Sequence, residues 1–367
     1  MSDVNLSIDS SKLEKLSEKV IGDAAGAMGV MMAYIGDQTG IYKKMEFLGP
    51  ATTANISESC GLLQRYVEEF LAANVALGYV DYQADTEMYS LSPEQAKVFA
   101  HEGQLECMQG IFQGIVGQYA TYETAIDVFK SGRGRPWDEH SYCLFCSTDR
   151  FFRPVYEANL LTTWIPGMQG VVEKLSLGGK IADIACGHGS SSIIMAKRFP
   201  KAIVHGFDFH GPSIEKAREK AMAAGLTNVE FFEATAKTIP KNNYDFACIF
   251  DALHDLGDPV GAAQHIYSVL SEDGTFMVVE PLAGDSLTDN LNPLGTLFYS
   301  FSTLVCVPNS LSQEVGLGLG AQAGEKRLTK VLQKSGAFRK RIRIQFSKSK
   351  IRNLSSITKK STPSVQL

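Results

Sequence analysis

Between Lys180 and His210 the chain reads as a strand, a glycine turn, a helix and a second strand that ends on a carboxylate. The first strand, Lys180-Ile-Ala-Asp-Ile184, runs into Ala185-Cys-Gly-His-Gly189, and a helical stretch follows from Ser190 to Phe199. Gly187 and Gly189 carry no Cβ, so the backbone there can come close to a ligand. The helix starts at that turn, and its free N–H groups face the same point. Asp208 closes the second strand, in position to accept hydrogen bonds from ribose hydroxyls. This is the pattern of a nucleoside-binding βαβ unit, and it commits the surrounding chain to a parallel sheet.

Two cofactor classes use such a layout. A dinucleotide site wants a third glycine three residues after the second, for close helix packing. Ser192 occupies that position, and Asp183 sits inside the strand just before the turn. An acidic residue there suits a ligand with a cationic amino-acid end, which favours S-adenosylmethionine over NAD. Downstream, a helix over 212–224 precedes a short strand at 229–232, and a buried strand runs from Asp245 to Asp251. A helix over 260–270 and a strand over 275–281 complete an alternation that predicts an α/β, doubly wound, mostly parallel sheet. Ligands in such sheets lie at the carboxyl ends of strands, where Asp183, Asp208, Thr235 and Asp251 all fall.

From about Tyr34 to Gly336 the chain resembles the class I S-adenosylmethionine-dependent methyltransferases that carry an N-terminal winged-helix domain. The resemblance rests on Cys186 to Gly189, Gly206 to His210, Leu253 to Pro259 and Gly320 to Glu325. The family's (D/E)-x-G-x-G-x-G motif falls on Asp183, Ala185, Gly187 and Gly189, with alanine in place of the first glycine. The resemblance implies S-adenosylmethionine as cofactor, held by Asp183, Ala185, Gly187, Gly189, Asp208, Phe209, Thr235, Ala236 and Asp251. It implies transfer of a methyl group to a small-molecule acceptor, most simply at oxygen. An acceptor hydroxyl must lose its proton, and His254 is the candidate general base. Leu253-His-Asp255 resembles the segment that holds the base histidine in plant-type O-methyltransferases, and Asp255 would fix its tautomer. His188 and His210 flank the cofactor turn and are expected to order it. Two rival readings are a non-catalytic cofactor-binding regulator and an NAD-dependent oxidoreductase.

The domain reading is a helical winged-helix region over 1–130, a connector with linking helices over 131–175, the catalytic sheet domain over 176–346, and a basic tail over 347–367. Helical patterns cover 11–19, 24–35, 52–60 and 64–77, and a β-hairpin wing joins 78–82 to 88–91. A DNA-reading helix should present basic and amide side chains. Here Gln64 and Arg65 are followed by Glu68 and Glu69, so no nucleic-acid partner is expected. By resemblance, this module serves dimerisation and helps cover the substrate site. Arg133 and Arg135 in the glycine-rich connector read as solvated linker residues, with a carboxylate contact as the alternative.

Charge is uneven along the chain. All 40 acidic residues precede Lys326, whereas 13 of the 35 lysines and arginines follow Glu325. The 22 basic residues before that point leave the body at −18 and the last 42 residues at +13. An acidic body offers no broad footprint for nucleic acid. The longest apolar stretches, 24–35 and 297–307, are too short to span a bilayer. No secretory signal is apparent, and seven scattered cysteines suit reduced thiols in a cytoplasmic setting. Cys143 and Cys146 form a lone C-x-x-C, which argues against zinc. The family's sheet normally ends in a β-hairpin. Residues 339–346 can supply its first strand, but 347–367 contain no apolar β-run for the second and read as disordered.

Overall fold

The computed structural model of the protein describes residues 8–336 and the backbone of residues 344–346. The chain divides after Val116 into two compact units, earlier than the boundary near residue 130 expected from the sequence. The helix Tyr122–Ser131 belongs to the second unit.

The first unit opens with one helix, Ser10–Thr39, where the sequence suggested two. Asp9 caps it by accepting the N–H groups of Ser11 and Lys12. Gly22 and Gly26 do not break it. A Cβ at either would meet nothing within 4 Å, so they cost helix propensity on an open face and nothing more. Gly36 is different: its missing Cβ leaves room for the ring of Tyr42, whose hydroxyl donates to Asn74 at 2.7 Å. Helices Thr53–Cys60 and Gln64–Ala76 follow, then the antiparallel ribbon β1 (Asp81–Gln83) and β2 (Met88–Ser90), as the wing pattern predicted. Tyr42, Met45, Ile56, Leu71 and Phe99 form the core of this unit.

The second unit holds β3 (Lys180–Ile184), β4 (Ile203–Asp208), β5 (Val229–Glu233), β6 (Tyr244–Phe250), β7 (Leu270–Glu280) and β8 (Ile344–Phe346). Their order is β5-β4-β3-β6-β7-β8, and every neighbouring pair is parallel. The doubly wound sheet is therefore as expected. Period-two alternation sends Ala182, Ile184, Ala247 and Ile249 to one face, against helices Pro259–Val269 and Gly324–Lys334. Ile181, Phe246, Cys248 and Met277 face the other side, against helices Val171–Leu177 and Ser190–Arg198. Each fully buried aliphatic or aromatic side chain contributes roughly 1.5–3 kcal/mol, so the two faces together anchor the sheet. The chain runs outward from β3 to β5 and then returns to start β6 beside β3. That reversal opens a crevice at the carboxyl ends of the strands.

The connector is more structured than its glycines suggested. Helix Tyr142–Asn159 widens into a looser turn over Leu160–Trp164. A Cβ on Gly134 would lie 2.4 Å from the backbone nitrogen of Ser312, and Arg135 donates its N–H to the Pro308 carbonyl. This segment is packed against the sheet domain, which corrects the reading of Arg135 as a solvated linker residue. Of the expected strand over 339–346, residues 344–346 pair parallel with β7, and the rest lies outside the described residues. The basic tail over 347–367 lies outside them too.

Candidate functional site

A cavity of about 260 Å³ opens at the switch point. The carboxyl ends of β3, β4, β5 and β6 and the segments after them supply Ala185 to His188, Asp208 and Phe209, Ala234 to Ala236, and Asp251 and Ala252. Thus Ala185, Gly187, Asp208, Phe209, Thr235, Ala236 and Asp251, each expected from the sequence, meet at one place. Two of them are strained: Ala185 has φ 55° and Asp251 has φ 51°. A left-handed conformation costs a residue with a Cβ about 1 kcal/mol or more, which explains why glycine is the commoner choice at the first of these positions.

The glycines do separate jobs. Gly187 has φ 52°, and a Cβ there would enter open space on the cavity side. Gly189 faces inward instead. Its Cβ would lie 2.7 Å from the Phe231 ring and 2.8 Å from Ala217, so it sets the packing of the helix start and does not line the cavity. Asp183 is also displaced from its expected role. It is fully buried, and its Oδ2 accepts the hydroxyls of Ser191 and Ser192, both at 2.6 Å. It braces the turn from behind. Burial pushes its pKa up to about 6, against the hydrogen bonds from the two serines and Cys248. Ser192, where a dinucleotide fingerprint has glycine, is thus occupied in holding Asp183.

Asp208 ties two strands together. Its Oδ2 accepts the Gly187 N–H and its Oδ1 the His210 N–H, each at 2.9 Å. Burial raises its pKa, and those backbone donors pull the other way. A carboxylate oxygen accepts more than one hydrogen bond, so capacity remains toward the cavity.

The cavity wall is rich in acidic side chains. Asp149, Asp208, Asp251 and Asp255 line it, and among the described residues no lysine or arginine does. Asp149 accepts the Ser190 hydroxyl at 2.6 Å and pairs with Lys220 at 2.7 Å. Its burial opposes ionisation, but Lys220 and Ser190 hold its pKa below the ordinary value. Burial raises Asp251 well above the usual carboxylate range, with Glu280 and Asp255 adding to it. Aromatic rings, among them Trp137, Phe145, Phe152, Tyr156 and Phe250, supply much of the remaining wall.

His254 sits behind this wall, in the short helical turn Leu253–Asp255, and is 2% exposed. Its Nδ1 contacts Oε2 of Glu280, whose Oε1 accepts the Leu253 N–H at 2.8 Å. Its Nε2 lies 3.2 Å from Asp255 Oδ1, an ion pair without hydrogen-bond alignment, since that oxygen has no hydrogen-bond partner among the described residues. Burial would depress the imidazole pKa, yet Asp255 and Glu280 together lift it well above the usual histidine value. His254 itself does not line the cavity; Asp255, beside it, is the group that reaches it. His254, Asp255 and Cys306 have ligand-type atoms within 4.8 Å of one another, a grouping able to accept a metal ion.

The sequence reading missed Asp149, Tyr156, Asn309 and Gln313, all cavity-lining. Asp149 and Tyr156 come from the helix Tyr142–Asn159, and Asn309 from the short helix Val307–Leu311. None lies in a motif, and only tertiary packing brings them to the crevice.

Comparison with known proteins agrees with this architecture. Residues 175–336 match the family model of a methyltransferase domain, and residues 26–101 that of an Rv2258c-like winged helix-turn-helix domain. The demethylmenaquinone methyltransferase of Listeria welshimeri is 29% identical over 110 residues, covering 29% of this chain and 47% of that protein. Its counterpart from Thermus thermophilus is 35% identical over 103 residues, covering 28% and 46%. The chain thus spans about half the length of the curated relatives it matches. Human N-acetylserotonin methyltransferase, solved with S-adenosylmethionine, superposes with a TM-score of 0.66 at 17% identity, covering 93% of this chain and 94% of that one. No helix among the described residues is long and apolar enough to cross a membrane.

Proposed function

We propose that this chain, which belongs to the class I methyltransferases carrying a winged-helix domain, binds S-adenosylmethionine and methylates a small-molecule acceptor at oxygen. The observation that carries the reading is the cavity's acidic lining: four aspartates and, among the described residues, no lysine or arginine at the carboxyl ends of the strands. A sulfonium is attracted by such a wall and by its aromatic rings. The pyrophosphate of NAD would find no lysine or arginine in this wall among the described residues.

The donor fits the residues present. Asp208 would accept from ribose hydroxyls while Gly187 and His210 hold it in place. Phe209, Thr235 and Ala236 would flank the base, and Ala185, Gly187 and Asp251 the thioether end. When bound, S-adenosylmethionine supplies an already activated methyl group, so the protein's task is mainly alignment. Asp255 would receive the acceptor's proton. Its buried carboxyl has a raised pKa, and His254, itself fixed by Glu280, holds it in orientation. His254 is a positioning residue in this scheme.

A homodimer formed through the first unit and a cytoplasmic location belong to the same reading. Leu13, Leu16, Val20, Ile21 and Met28 of the long first helix are all more than half exposed, an apolar face suited to a second copy. A nucleic-acid role has little support, because Arg65 of the helix Gln64–Ala76 is ion-paired with Glu68 and Glu69 of its own helix. Calorimetry with S-adenosylhomocysteine and with NAD tests the proposal. Binding of the first alone supports it, and binding of NAD alone would overturn it.

A further inference from the structure

His188 stands between the two glycines of the turn after β3 and lines the cavity. It also lines a neighbouring cleft of about 210 Å³, together with Tyr142, His210 and Lys216. The imidazole is largely buried, at 9% exposed, and no hydrogen bond reaches it among the described residues. Among the described residues it is the one side chain of the cavity wall able to carry a positive charge, since the other titratable groups there are acidic or are cysteine and tyrosine. A methyl donor with an amino-acid end brings a carboxylate against this acidic wall. The four aspartates offer that group no attractive charge, which leaves His188 and the free N–H groups opening the helix Ser190–Arg198 to receive it.

We infer that His188 binds the carboxylate of the donor's amino-acid end, and so selects S-adenosyl amino acids over nucleosides that lack it. The inference rests on the proposed function. Geometry supports it from both sides of the turn. Asp208 fixes Gly187 by its N–H, and Asp149 fixes Ser190 by its hydroxyl, so His188 is presented on a braced loop. Asp149 from the helix Tyr142–Asn159 favours the charged imidazole. Lys216 and Lys220 from the helix Gly211–Ala223 oppose it, as does His210. Burial is the largest influence and keeps the free imidazole less basic than usual. An arriving carboxylate reverses that balance, so binding takes up a proton and tightens as pH falls.

The test is calorimetric titration of the full chain with S-adenosylhomocysteine and with 5′-methylthioadenosine, which shares the ring and sulfur but lacks the amino-acid end. In His188→Gln, S-adenosylhomocysteine affinity at pH 6 should fall about tenfold, while methylthioadenosine affinity stays within about twofold. Between pH 6 and 8 the parent should lose affinity for S-adenosylhomocysteine more steeply than the variant does. Equal losses for both ligands, or no loss for either, would overturn the inference while the proposed function stands. A parent protein that binds neither ligand overturns both. Retained methylthioadenosine binding also shows that the variant is folded.

Discussion

The carboxylate of Asp208 accepts the backbone N–H of Gly187 at 2.9 Å, fastening the end of β4 to the turn that leaves β3. One side chain therefore shapes the loop and, in the proposed function, meets the ribose. Asp208→Ala should weaken S-adenosylhomocysteine binding about tenfold or more, from lost charge-assisted hydrogen bonds of roughly 1.5–3 kcal/mol. It should also lower the unfolding midpoint, because the Gly187 and His210 N–H groups lose their acceptor. Calorimetry paired with thermal unfolding reads both effects, and unchanged affinity in a folded variant would remove the ribose contact.

Asp183 makes stability depend on pH. Its folded pKa of about 6 lies above the ordinary aspartate value of 3.8, so the folded state holds its proton more tightly than the unfolded state. Unfolding then releases a proton, and stability falls as pH rises from about 4 to about 6, flattening above that. That rise corresponds to about 3 kcal/mol. Urea titrations of Asp183→Asn and the parent across that window should show a shallower fall in the variant. Parallel curves would count against a raised Asp183.

The sheet was legible in the sequence because its strands are buried on both faces and read as continuous apolar runs between helical patterns. Positions tied to backbone were legible too: Gly187, Asp208 and Asp251 lie where a βα turn must place them. Asp183 shows the limit. Its position in the strand was right, but whether its side chain turns toward the cavity or toward Ser191 and Ser192 depends on packing that periodicity does not encode. His254 shows another limit. Glu280, its partner, comes from the end of β7, and no local pattern announces that a second carboxylate closes on the imidazole. Asp149 and Asn309 reach the cavity from elements outside the sheet, so no strand-end rule could find them.

His254 should behave as a buried cation. Removing it leaves Asp255 and Glu280 without their shared partner, and breaking such a pair costs about 3–5 kcal/mol. Its folded pKa is raised, so its contribution is complete below the unfolded value of 6.5 and is lost as pH climbs through the folded one. Denaturant unfolding of His254→Gln should therefore show the largest deficit below about pH 6.5 and a smaller one in alkali. A parent rate that climbs through a pKa near 6.5, with that climb lost in the variant, would restore His254 as the base.

The apolar face of the helix Ser10–Thr39 predicts a concentration-dependent assembly. Leu16→Asp with Val20→Asp should shift a dimer toward monomer in sedimentation velocity, since each change places a charge within a face that would otherwise leave water. S-adenosylhomocysteine affinity, set within the second unit, should hardly change. A parent that sediments as a monomer at tens of micromolar would dismiss the interface.

Arg135 offers the sharpest test of packing in the connector. It is 1% exposed, and only Nη2 finds an acceptor, the Glu139 carbonyl at 3.1 Å; Nε and Nη1 have none among the described residues. Burial accordingly lowers its pKa. Replacing a buried, poorly paired charge with an apolar group of similar length is often neutral or stabilising by about 1–4 kcal/mol. Arg135→Met should therefore unfold no more easily than the parent, although a surface linker residue and a buried one would both tolerate that change. The neighbouring histidine separates them. Burial and the Arg135 charge hold His140 down to about 3, so its neutral form stabilises the fold at neutral pH, and that contribution is lost as pH falls below 6.5. Without the guanidinium, the His140 pKa should rise and the loss of stability in acid should shrink. NMR titration of the His140 ring reads this directly, and an unmoved pKa in Arg135→Met would place the guanidinium away from His140.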